Sequence, residues 1–150
     1  MNANLQVIIS YFNAKRFLLN HSISYNRDND CIDLIAFDPL NNVIYDCDVV
    51  TYYDHRMTEA KFKVITRKLL DIKRDLKVKS LFRVGLLEDV LIERVLYIPS
   101  FTNQIEWIEK FQCLNIKVIF INDIMKEIKE LKMDKQLIQN DELIYLLGLV

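Results

Sequence analysis

Residues 31–50 read CIDLIAFDPLNNVIYDCDVV. Two apolar runs flank the break Pro39-Leu40-Asn41-Asn42, so the spacing predicts two strands, about 31–38 and 43–50, joined as an antiparallel hairpin. Three acids interrupt the runs, at Asp33, Asp46 and Asp48. If residues 38 and 43 close the turn as a pair, opposing positions sum to 81, so that Asp33 faces Asp48 and Ile35 faces Asp46. Side chains alternate along a strand, so all three acids then project from one face, whereas a slip of one residue sends Asp33 to the other. Their companions Ile35, Phe37, Ile44 and Val50 are too apolar for a freely wet face. Converging carboxylates repel unless a cation, a proton or basic side chains neutralise them, and Mg²⁺ is the hard cation expected for such a donor set. The alternative is a solvated sheet face on which the acids are ordinary surface or edge residues.

Outward from the hairpin, apolar residues recur at three- and four-residue spacing from Leu5 through Ile8, Ile9, Phe12 and Leu19, predicting a helix to about residue 20. The alternating stretch SISYN follows as a short strand. C-terminal to the hairpin, Met57, Ala60, Val64, Ile65, Leu69, Ile72 and Leu76 predict one long helix with Lys61, Lys63, Arg67, Lys68, Lys73, Arg74 and Lys77 on its other faces. Residues 79–92 are read as helix. RVLYIPSF and IKVIFIND read as buried strands around an amphipathic helix whose Ile105, Trp107, Ile108 and Phe111 face the core, a parallel β-α-β unit. DIMKEIKELKM and NDELIYLLGLV close the chain as helices. The order predicts one α/β domain with a mixed sheet.

The chain has 150 residues, 51% of them hydrophobic, and a formal net charge of −1. A uniformly basic nucleic-acid binder and a disordered acidic protein are both excluded. The charge is segregated, however: residues 1–54 carry −4, 55–83 carry +7 and 84–150 carry −4. The basic block is either a phosphate footprint or the solvated face of a helix between acidic neighbours. Two glycines leave no glycine-rich phosphate loop. Cys31, Cys47 and Cys113 form no C-x-x-C pair and read as reduced residues, which together with a start lacking signal-peptide features points to a cytoplasmic protein with no membrane span. The spacing of cysteines and histidines does not suit zinc. His55, beside Asp54, is a candidate general base or simply a surface residue.

A helix, a three-stranded meander carrying IDLIAFD, an acid-x-residue pair about a dozen residues later, then helix and strand: this arrangement resembles the PD-(D/E)xK restriction-endonuclease-like superfamily. It is similar in particular to compact archaeal Holliday-junction-resolvase-like and related predicted nucleases. RVLYIPSF, NIKVIFINDIMKEIKE and NDELIYLLGLV extend the likeness over nearly the whole chain. The resemblance implies a single nuclease-like domain with a mixed sheet, an α-βββ-α-β core and an added C-terminal α-β-α. It also implies that Asp33 and Asp46 bind Mg²⁺ and that a lysine two residues after the second acid serves the attacking water. Here that position is Asp48, which cannot supply the positive charge. Residues 1–27 also lack the helix-one acid found in many relatives. Relatives sometimes bring the lysine from a neighbouring helix, and Lys61, Lys63 or, less readily, Lys15 could do so here.

Two functions follow as expectations. The first is a non-catalytic, nucleic-acid-associated binding or assembly subunit that keeps the acid cluster and grips phosphates through Lys61, Lys63, Arg67, Lys68, Arg74 and Lys77, with DNA ahead of RNA. The second is an active Mg²⁺-dependent nuclease using Asp33, Asp46, Asp48 and a migrated lysine. The apolar C-terminus and the prevalence of two-fold assemblies add a homodimer or a protein partner to the expectations.

Overall fold

The computed structural model describes residues 3–50, 56–81 and 90–130. Its elements are α1 (Ala3–Ala14), β1 (Leu18–Ser24), β2 (Cys31–Asp38), β3 (Val43–Val49), α2 (Glu59–Leu69), α3 (Ile72–Leu81), β4 (Leu91–Ile98), α4 (Gln104–Cys113), β5 (Ile116–Phe120) and α5 (Ile121–Glu130). The five strands form an open sheet in the order β1-β2-β3-β4-β5. β1, β2 and β3 pair antiparallel, while β3, β4 and β5 pair parallel. The fold is thus α/β with a mixed sheet, and β3 is the strand at which the pairing changes sense.

Strand alternation divides the core in two. Leu34, Ala36, Cys47, Val49, Val95 and Tyr97 pack with Leu5, Val7, Ile8 and Phe12 of α1 and Ile121, Ile124 and Ile128 of α5. On the opposite face, Leu96, Ile98 and Ile116 meet Ile65 and Leu69 of α2 and Trp107 and Phe111 of α4. There too Ile35, Phe37 and Ile44 meet Val78 of α3. Helices on both faces explain why β2 and β3 are apolar almost throughout rather than alternating.

Several expectations about elements are corrected. The first helix ends at Ala14, not near residue 20. Phe17 N–H donates to the Phe12 carbonyl at 3.2 Å and Arg16 N–H to that of Asn13 at 3.0 Å, while Arg16 takes a left-handed φ of 61°. These are the two bonds of a Schellman cap, and its apolar contact is present as Phe17 against Phe12, ring centroids 5.4 Å apart. Leu19 accordingly belongs to β1, which starts earlier than SISYN.

The long basic helix is two helices. Leu70 ends α2, and Asp71 Oδ1 accepts the Lys73 N–H at 2.8 Å, capping a new helix. The break resets the helical phase: Ile72 and Leu76, expected inside, are 75% and 61% exposed, while Arg74, expected outside, is 0% exposed beside the buried Val78. Val64 of α2 is exposed as well. In α4 the phase is also off at one position, since Ile105 is exposed while Trp107 and Phe111 are buried.

α3 runs to Leu81 and β4 starts at Leu91, three residues before RVLYIPSF. Leu91 and Ile92, expected at the end of a helix over 79–92, are therefore strand, while residues 82–89 and the terminal helix NDELIYLLGLV lie outside the described residues. Among those described, no helix is long and apolar enough to cross a membrane.

Candidate functional site

From Leu34 to Val43 the hairpin pairs in the predicted register. Leu34 partners Cys47, Ile35 partners Asp46, and Asp38 partners Val43, all in the register that sums to 81. Asp38 fixes the turn by accepting the Leu40 N–H at 3.0 Å and the Asn41 side-chain amide at 2.7 Å. This amide, then the turn N–H groups, hold the Asp38 carboxyl below its ordinary range. Asn42, with φ of 53°, supplies the left-handed residue that the turn needs.

The β2–β3 ladder ends at Leu34–Cys47, so the expected cross-strand pair of Asp33 with Asp48 is not part of it, while Asp46 and Asp48 share one face of β3. Asp33 Oδ2 accepts the Val49 N–H at 2.8 Å, across the end of the hairpin. Asp46 and Asp48 are 2% and 5% exposed on the central strand, where an unpaired carboxylate would be untenable. Their neutralising group is Arg74. Its Nε lies 3.0 Å and its Nη2 2.6 Å from Asp46 Oδ1, a fork on one carboxylate. Its Nη1 lies 2.8 Å from Asp48 Oδ1, close enough for strong attraction but off-axis for a hydrogen bond. Nη2 also approaches the Cys47 carbonyl at 3.4 Å. The guanidinium carbon sits 5.9 Å from the Tyr25 ring centroid, so an aromatic residue from the β1–β2 connection flanks the ion cluster.

Burial pushes the Asp46 carboxyl above its ordinary value, with Arg74 pulling it back down. Burial also works against the charge on Arg74, but Asp48 and Asp46 outweigh it and hold the guanidinium charged. Asp33 is raised by burial and by the neighbouring Asp48, against the Val49 N–H, Lys68 and Arg74. Cys47, on the opposite face of β3, is a fully buried thiol pushed well up by desolvation. It is a core residue without thiolate character.

Arg74 was expected among the phosphate contacts and is instead a core residue, so it is removed from that surface. Lys63 and Arg67 are exposed, while Lys61, Lys68 and Lys77 are half-buried. Lys61 Nζ donates to the Arg56 carbonyl at 3.0 Å, beyond the N-terminus of α2. His55 lies outside the described residues. Among the described residues, no three His, Cys, Asp or Glu side chains are grouped to hold a metal ion. The donor set gives the reason: the Asp46 oxygens and Asp48 Oδ1 face a guanidinium, and Asp33 Oδ2 is bonded to a backbone N–H. As arranged, these carboxylates do not fit Mg²⁺, which demands near-octahedral oxygen ligation.

The sequence located the acids but missed their partner. The available signal was Asp71 itself: a helix-capping residue in the middle of an otherwise continuous pattern starts a new helical phase, and Arg74 and Val78 then fall four apart on its inner face. Compared with protein-family models, curated proteins and solved structures, the chain matches none.

Proposed function

We propose that this chain is a non-catalytic nucleic-acid-binding domain derived from a PD-(D/E)xK nuclease scaffold, its acid cluster converted from a metal site into a structural ion cluster. The observation that carries the reading is Arg74, fully buried and within 2.6 Å of Asp46 and 2.8 Å of Asp48. A cation of the protein's own thus answers the charge problem that the acids pose. The motif's departure at Asp48 makes sense on this reading, because a lysine there would meet the guanidinium at like charge. The binding role rests on the cations that stay at the surface, Lys61, Lys63, Arg67, Lys68 and Lys77, in a segment carrying +7 overall.

The test has two arms. Mg²⁺ or Mn²⁺ titrated into the protein is expected to give no thermal stabilisation, and no cleavage of duplex, branched or single-stranded substrates. Duplex DNA is expected to bind at low salt with an affinity that falls steeply as salt rises. Metal-dependent cleavage abolished by Asp33→Ala would overturn the reading in favour of an active Mg²⁺-dependent nuclease with a migrated lysine. Absence of binding at low salt would remove the nucleic-acid role.

Assembly with a protein, including a second copy of this chain, is favoured by a separate observation: Val64, Ile72 and Leu76 are 60%, 75% and 61% exposed on α2 and α3. Light scattering across a concentration series, with Ile72→Ser/Leu76→Ser as the comparison, tests the self-association form of that reading.

A further inference from the structure

A cleft of about 390 Å³ opens beside the ion cluster, between the β1–β2 connection and the junction of α2 with α3. Its helix wall carries Arg67, Lys68 and Lys73, and none of the three has an ion-pair partner within 4.0 Å among the described residues. Three acids line it too, Asp28 and Asp30 on the connection and Asp71 at the helix junction, so the cations face the ligand from one wall of a lining that is balanced in formal charge. Asp30 accepts the Asn26 amide at 2.8 Å, and Asp71 caps α3 through the Lys73 N–H at 2.8 Å. Asp28, on the exposed tip of the connection, makes no ion pair among the described residues. Tyr25 and Val64 give the same cleft an aromatic and an aliphatic surface.

We infer that this cleft binds one nucleotide unit bearing a terminal phosphate, either a free nucleoside monophosphate or the phosphorylated end of a strand. Three unpaired cations at one wall suit a phosphate monoester, which carries nearly two charges, better than an internal diester, which carries one. Flat surface at Tyr25 and Val64 suits the base, and Asp28 can accept from an exocyclic amine or ring N–H. The volume falls in the range of small-molecule sites. The inference deepens the proposed nucleic-acid role, since it names the nucleotide part that the basic helices would hold.

The experiment measures binding of AMP, and of one single-stranded oligonucleotide with and without a 5′-phosphate, to the full chain by calorimetry at low salt. AMP and the 5′-phosphorylated strand are expected to bind, the strand with a 5′-hydroxyl more weakly. Lys68→Ala/Lys73→Ala should lower the affinity for AMP about tenfold or more, through two lost charge-assisted contacts. Lys126→Ala, on the exposed side of α5 across the sheet, should leave it unchanged, and far-UV circular dichroism checks that both variants are folded. Binding of AMP without binding of either strand supports the cleft and overturns the strand source. Equal binding of both strands, insensitive to Lys68→Ala/Lys73→Ala, overturns the cleft while leaving the general nucleic-acid role intact. No binding of AMP or of either strand overturns the cleft, and the duplex titration at low salt decides the general nucleic-acid role on its own.

Discussion

Replacing Arg74 by methionine keeps most of the side-chain volume and removes the charge that two buried carboxylates share. In the native chain the Arg74 side chain is 1% exposed, and those of Asp46 and Asp48 are 3% and 8% exposed. Without the guanidinium, both carboxylates face burial with no counter-charge, and Asp33 lies near enough to Asp48 for each to disfavour the other's charge. Removing one member of a buried ion cluster costs about 3–5 kcal/mol, a large share of the roughly 5–15 kcal/mol that holds a domain folded. With an m-value of about 2 kcal/mol/M, the urea midpoint should fall by roughly 2 M. Trp107, the one tryptophan, is 6% exposed in the core against Phe62 and reports unfolding by fluorescence. The loss should also shrink at acid pH. Burial already raises Asp46, and without Arg74 its folded-state pKa rises further above the ordinary 3.8, so the variant recovers stability as pH falls through that window. An apolar replacement of the whole cluster, Arg74→Met/Asp46→Val/Asp48→Val, should return to within about 1 kcal/mol of the native chain, because no buried charge is left uncompensated. A loss below about 1 kcal/mol for Arg74→Met at neutral pH, or a triple variant as unstable as the single one, would refute the assignment of Arg74 as the structural cation.

Within the cluster, Asp46→Asn should cost more stability than Asp48→Asn, since Asp46 takes the guanidinium fork and Asp48 only an off-axis contact; denaturant midpoints rank the two. Asp33→Asn should raise stability near pH 7, because the amide oxygen can still accept the Val49 N–H while the carboxylate that burial and Asp48 disfavour is gone. As pH falls through the raised folded-state pKa of Asp33 the native chain protonates and gains stability, so the advantage of the variant should vanish in acid, which a series of urea titrations checks. Asp71→Ala removes the side chain that starts α3 and should cost about 0.5–2 kcal/mol by the same measurement. If the exposed face of α2 binds duplex DNA, Lys63→Ala/Arg67→Ala should flatten the logarithmic salt dependence by roughly two units in a binding series.

The hairpin was legible in the sequence because its information is local and redundant. The break at 39–42, the apolar runs on either side and the period of two all specify one register, and a slipped pairing would bury different residues on each face. The two parallel strands were legible for a related reason: RVLYIPSF and IKVIFIND are short apolar runs with an amphipathic helix between them, which few other arrangements can bury. The end of α1 was not legible, because its Schellman cap uses Arg16 where glycine usually marks the site. Nothing in the composition of NAKRF signals a left-handed residue, and the 5.4 Å contact between Phe12 and Phe17 that accompanies the cap is between residues that helical spacing also explains.

The misplacement of Arg74 has a deeper cause. A rule that puts apolar residues inside and charges outside assigns Ile72 and Leu76 to the core and Arg74 to the surface, and it does so consistently along one unbroken helix. It fails because β3 presents carboxylates to that layer, and a buried carboxylate selects a guanidinium over an aliphatic neighbour. The phase of α3 is therefore tied to Asp46 and Asp48 on a strand 26 and more residues earlier in the chain. Asp71 allows the change of phase by starting a new helix where the old stripe would have continued. Taken together, the acids predict a cation and the capping residue predicts a new helical face, and the two constraints meet at the first basic residue that the new face can turn inward. Each was visible in the sequence, but only the folded sheet brings them onto the same side.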